Sequence, residues 1–261
     1  MKKISMCILT LLCSLLIGCN NSISADEITT FEEEVNGNII IIDGTEYDII
    51  SSYIISNKYE NQNLVEEFID FQDNSNSKFV YIYEGKLLVQ ETNYQNDELI
   101  YNKFYSYENG KEVSTKQVAV SGETAQYSKT AYEGNHVETG FYESDDNLSS
   151  IESVELSDDG KIIEKKTIIP DTDIMIEYKY QYINNNVVCV NVYMGEETFG
   201  RIYYTYNNLN HLISEYEIVY GKNNSRLIAK YYENEYNEDL ELVQQVVYNV
   251  NSEIKEENIR E

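Results

Sequence analysis

The chain has 261 residues, 42% of them hydrophobic and 25% charged, enough for one large or two small domains. Its 46 Asp and Glu against 19 Lys and Arg give a net charge of −27, and a body this acidic is repelled by phosphate backbones and anionic lipid surfaces, which excludes nucleic acid as a partner. The acid keeps the protein soluble and leaves cationic peptides, metal ions and neutral sugars open as partners.

Met1, Lys2 and Lys3 make a positive start, and Ile4 to Ile17 is an apolar run without charge. This order is that of a secretory signal. The run is short of the ~20 residues a spanning helix needs. Leu16-Ile17-Gly18-Cys19 resembles the lipobox of bacterial lipoproteins. The resemblance implies cleavage after Gly18, a diacylglyceryl group on Cys19, and a membrane anchor on the extracytoplasmic face. Cys7 and Cys13 leave with the signal and Cys19 carries lipid, so the mature chain keeps Cys189 alone and forms no internal disulfide. Within Val187-Val188-Cys189-Val190, that thiol reads as a small core residue. Residues 1–18 are thus expected as signal peptide, 19–30 as lipidated N-terminus and polar tether, 31–250 as a repeat domain and 251–261 as a polar tail.

The repeat is marked by Gly85, Gly110, Gly134 and Gly160, which are 25, 24 and 26 residues apart. Each is flanked by acid, Asn or Lys, as in Asn109-Gly110-Lys111, a strong signal for a tight hairpin turn. Allowing Asn or Asp extends the series to Gly37, Asn61, Asn186, Asn210 and Asp239. The flanks alternate with period two: Phe79, Tyr81 and Tyr83 lead into one turn, and Tyr178, Tyr180 and Tyr182 into another. Asn61 to Phe71 fits a short helix but fits the repeat better. Pro170, the sole Pro, falls between repeats, where a ladder bond can be spared. The pattern predicts an all-β fold, an antiparallel meander of about nine β-hairpin repeats, as an open or curled twisted sheet.

Tyr105-Ser106-Tyr107-Glu108-Asn109-Gly110-Lys111 resembles a unit of the YD-repeat (Rhs-like) hairpin family, and Tyr81-Ile82-Tyr83-Glu84-Gly85-Lys86-Leu87 is similar. The Tyr-Glu-Asn-Gly-Lys turn also resembles MORN-type repeats, although Glu or Asn mostly stands where the YD pattern has Asp. The resemblance implies a hairpin scaffold or binding surface and no particular activity.

Chemistry has few candidates. His136 and His211 read as solvated turn residues, and no nucleophile elbow, zinc or nucleotide motif is present. The clusters Asp145-Asp146-Asn147, Asp158-Asp159 and Asp171-Thr172-Asp173 lack EF-hand spacing and read as solvated turns. No catalytic residue, metal or cofactor is therefore expected. The candidate binding residues are Tyr81, Tyr83, Tyr105, Tyr107, Tyr178, Tyr180 and Tyr182, displayed to a peptide, glycan or envelope protein while the lipid on Cys19 engages the membrane. The alternative is an envelope ligand carrier or hydrolase whose sheet closes around a cavity.

Overall fold

The computed structural model describes residues 34–254 apart from 43, 44, 72, 171, 173, 222 and 223. The signal, Cys19 and the tether lie outside the described residues. A small hairpin of β1 (Glu34–Asn36) and β2 (Ile39–Ile42) leads into the long β3 (Thr45–Glu60). There follow β4 (Asn63–Phe71), β5 (Ser75–Glu84), β6 (Leu87–Gln95), β7 (Glu98–Glu108), β8 (Lys111–Ala119), β9 (Thr124–Glu133) and β10 (His136–Glu143). The second half holds β11 (Leu148–Leu156), β12 (Ile162–Ile168), β13 (Met175–Ile183), β14 (Asn186–Met194), β15 (Glu197–Tyr206), β16 (Leu212–Val219), β17 (Ser225–Tyr236) and β18 (Leu242–Ile254). The Asn61–Phe71 segment is a turn at Asn61-Gln62 and strand from Asn63 to Phe71, and β18 runs through Ile254, into the segment expected as a tail.

Turn chemistry places the hairpins as the sequence expects. Gly85, Gly110, Gly134 and Gly160 all lie in turns with positive φ. At Asn109-Gly110 both residues do, at 52° and 76°. A primed two-residue turn demands this, and it matches the twist of the strands it joins.

Each strand from β3 onward pairs antiparallel with the next, as a meander should. The open or curled sheet is corrected, however: β18 pairs with β3 from Gln244↔Ser56 to Val250↔Ile49, so β3 to β18 form a closed barrel of sixteen strands. The physical cause is a recurrent bulge. In seven hairpins the register slips beside the turn, leaving one extra residue on the outgoing strand: Val65, Val89, Val113, Ile163, Val188, Ile213 and Val243. The β9–β10 hairpin pairs without a slip. A bulge bends its strand and sharpens the local twist. Four more hairpins, β6–β7, β8–β9, β10–β11 and β14–β15, slip in the same way at the opposite rim, and bends at both rims curve the sheet toward closure.

One sheet face lines the barrel and the other faces out. Along β7 the face of Tyr101, Tyr105 and Tyr107 is half-buried while Ile100, Phe104 and Ser106 on the other are exposed, and the register places Tyr53, Tyr81, Tyr180, Tyr204 and Tyr232 on that same half-buried face; from β14 to β17 the other face is covered as well, with Cys189 and Tyr231 buried. The face of Tyr105 is the inner wall. The outer wall carries the lysines that pair with surface acid, such as Lys166 with Glu177 at 3.3 Å and Lys179 with Glu177 at 3.0 Å. Part of the outer wall is covered by the β1–β2 hairpin: Ile40, only 2% exposed, packs against Leu227, Ala229, Tyr231 and Val250. This is the densest apolar cluster.

Candidate functional site

The inner wall is built by alternation. On β5, Phe79, Tyr81 and Tyr83 point inward while Lys78, Val80 and Ile82 point out. The same parity turns Tyr101, Lys103, Tyr105 and Tyr107 of β7 inward. All seven tyrosines singled out from the sequence therefore share the inner wall, but they form two groups. Tyr81, Tyr83, Tyr105 and Tyr107 are neighbours across β5 to β7. Tyr178, Tyr180 and Tyr182 lie on β13, eight strands from β5, on the opposite wall. They are not one displayed surface.

The first group surrounds acid. Glu91 of β6 accepts hydrogen bonds from the phenols of Tyr101 (2.8 Å) and Tyr105 (3.0 Å). Burial, and then the charge of Glu91, raises the Glu67 carboxyl above its ordinary value. Burial and both glutamates push the Tyr81 phenol up. The Lys103 ammonium lies 5.0 Å over the Tyr105 ring. Half-buried acceptors and π faces with one nearby cation make a nest suited to hydroxyl or ammonium groups. On the opposite wall Lys165 pairs with Glu152 at 2.6 Å and lies over the Tyr178 ring at 5.7 Å.

A feature missed in the sequence encircles one rim. Immediately before the turns stand Tyr59, Tyr83, Tyr107, Tyr132, Tyr182, Tyr206 and Tyr236, with Leu156 at the eighth position. Three of these phenols donate to main-chain carbonyls of the preceding hairpin: Tyr107 to Leu88 (2.9 Å), Tyr132 to Glu112 (2.9 Å) and Tyr182 to Ile162 (2.8 Å). To reach a carbonyl on the next strand, only about 4.8 Å away, a tyrosine lies along the wall rather than standing off it. The result is a collar of rings laid flat. Its sequence signal is the pair after most of the turns, such as Leu64-Val65, Leu88-Val89 or Val187-Val188, where an aliphatic residue faces the tyrosine and a β-branched one fills the bulge; at Tyr107 the facing residue is Glu112.

The other chemical candidates are occupied. His136 Nδ1 lies 2.5 Å from Glu155 Oε1, and His211 stacks on the Tyr236 ring at 4.0 Å. Cys189 is 3% exposed. Among the described residues no three His, Cys, Asp or Glu side chains are grouped to hold a metal, and Asp171 and Asp173 lie outside them.

No family model and no curated protein matches the chain. Among solved structures, a porin-like protein from Bacteroides uniformis is similar with a TM-score of 0.37 and 10% identity, over 78% of this chain and 98% of that one. The TcdB2-TccC3-Cdc42 structure follows at 0.30 and 12% identity, over 74% of this chain and 12% of that one. The Photorhabdus luminescens Tc holotoxin pore gives 0.27 and 13% identity, over 87% of this chain and 14% of that one. The chain thus spans a small fraction of the two toxin chains. Overlaps this slight transfer no function, and the barrel rests on its own strand pairing.

Proposed function

We propose that the protein is an exported lipoprotein, anchored through Cys19, whose barrel is a non-enzymatic module binding a neutral or cationic ligand on its inner wall. The observation that carries this reading is the nest of Glu67, Glu91, Tyr81, Tyr101 and Tyr105, in which acid and aromatic faces meet on one wall. Closure moves the tyrosines from a displayed surface to an enclosed one, which favours a carrier-like mode over an extended docking sheet.

The barrel itself stands outside the bilayer in this reading. Its outer wall carries Lys78, Lys116, Lys129, Lys166 and Lys179 in mid-strand. A lysine facing lipid near the midplane costs about 2–4 kcal/mol, so a wall with these residues belongs in water and the lipid holds the membrane.

Two measurements test the proposal. Cys19→Ala should release the chain from the membrane fraction of a bacterial host, and unchanged partition would sink the anchor. The full chain in neutral detergent should bind neutral or cationic members of a glycan and peptide panel and ignore anionic ones. Glu91→Gln should weaken that binding about tenfold, the loss of a charge-assisted hydrogen bond, with the melting temperature unchanged. Preference for anionic ligands would refute the inner-wall site.

A further inference from the structure

The collar contains its own ligands. In three hairpins the residue that follows the turn reaches over the collar tyrosine of the next hairpin. Lys111 lies 4.6 Å over the ring of Tyr132, Lys161 lies 5.6 Å over the ring of Tyr182, and the imidazole of His211 stacks on Tyr236. The equivalent positions elsewhere are Asn63 beside Tyr83, Leu87 beside Tyr107, Asn186 beside Tyr206 and, across the closure, Glu241 beside Tyr59, while His136 stands beside Leu156. Among the described residues no ammonium lies over the rings of Tyr59, Tyr83 or Tyr107. Tyr59, Tyr83 and Tyr107 belong to consecutive hairpins, and acid acts on two of them: Glu241 and Glu67 on Tyr59, and Glu112 on Tyr107.

We propose that the arc Tyr59–Tyr83–Tyr107 binds primary ammonium groups carried on one extended chain. The same rim already holds ammonium over the same kind of ring where a lysine follows the turn, and a cation over a tyrosine face is an attractive contact. On the open arc the residue after the turn is neutral or acidic, so the cation must come from outside. Spacing sets the ligand further. Successive collar tyrosines are two strands apart, about 10 Å at the usual strand separation. Ammonium groups about 10 Å apart occur at the ends of a linear polyamine and on lysines three residues apart, on one side, in a peptide of polyproline II form. This inference rests on the reading of the barrel as a binding module and adds a second site, at its rim, with a defined ligand.

The test is calorimetry on the full chain in neutral detergent with three probes: a linear triamine, a peptide with lysine at every third position, and that peptide acetylated on its lysines. The triamine or the free peptide should bind, the stronger of the two identifying the source, and the acetylated peptide should not. Asn63→Lys and Leu87→Lys would supply internal ammonium groups over Tyr83 and Tyr107, as Lys111 does over Tyr132. Each should weaken binding about tenfold without lowering the melting temperature. Tyr83→Phe, which keeps the π face, should bind as the parent, whereas Tyr83→Leu should not. Equal binding by the acetylated peptide, unchanged binding by both lysine variants, or no binding of either amine overturns the inference. If amines fail while panel ligands still bind in a Glu91-dependent way, the inner-wall reading stands and the collar inference falls. Failure of both sets removes the binding module itself.

Discussion

A single missing methyl group permits one of the tightest contacts in the wall. Gly200 is buried on β15, and a Cβ there would stand 2.7 Å from the main-chain oxygen of Ile218 on β16. A side chain could yield, but a backbone carbonyl held in a ladder cannot move without shifting the strand. Gly200→Ala should therefore destabilise the fold by about 1–3 kcal/mol, seen as a lower denaturant midpoint at unchanged slope. A neutral effect would mean that β15 and β16 lie farther apart than described. Neither this glycine nor the partner of any collar phenol was legible in the sequence. Alternation places Tyr107 on a face, but its acceptor, the Leu88 carbonyl, belongs to the preceding hairpin and is fixed only by how hairpins sit side by side. The single-residue signals that did read correctly were local ones, the turn glycines above all.

At the level of strands, hairpins were legible and closure was not. A period near 25 residues with Asn-Gly or Glu-Gly turns specifies a meander, because each hairpin is formed by residues adjacent in sequence. The seam of β3 with β18 joins segments almost two hundred residues apart, and no local pattern encodes such a partner. The bulges that bend the sheet toward that seam do leave a trace, the doubled aliphatic residue after most of the collar turns, but without the register it reads as ordinary strand. The seam can be locked. Asn249 Nδ2 donates to Ser51 Oγ at 3.1 Å across 198 residues of sequence. In a Cys189→Ala background, Ser51→Cys with Asn249→Cys should form a disulfide on mild oxidation and stabilise the barrel by about 4–5 kcal/mol on loop-entropy grounds. Peptide mapping without reductant would identify the bond, and two free thiols after oxidation would mean an open sheet.

Taken as a whole, the molecule is an acidic shell, and its stability should depend on pH in a specific direction. Burial raises Glu67 and Glu112, with the Glu91 charge adding to the first and Lys103 opposing the second. A carboxyl raised in the folded state contributes stability below its unfolded value, near pH 4.3, and loses that contribution as pH rises through the folded value. Acidification from pH 7.5 to pH 5 should therefore raise the melting temperature, helped by falling self-repulsion at a net charge of −27. The gain ends lower down. Hydrogen bonds from Ser75 hold Asp73 below its ordinary value, Lys161 and Ser157 do the same for Asp159, and their contributions vanish as pH falls through those lowered values. Glu67→Gln should flatten the rise between pH 7.5 and 5, and a parent protein that melts lower at pH 5 than at 7.5 would contradict the burial of both glutamates.

The path of the chain at the rims sets how such a shell would stand on a cell. Strand β1 enters, β3 starts and β18 finishes toward the rim opposite the collar, where Ile49 pairs with Val250. From Cys19 to Glu34 is 15 positions (34 − 19), a line of at most about 50 Å when taut. A wall of ten-residue strands is about 33 Å tall or less once tilted. A molecule moored at Cys19 would ride like a buoy on a line little longer than itself, its tyrosine-ringed mouth turned to the surroundings and its tethered rim toward the membrane.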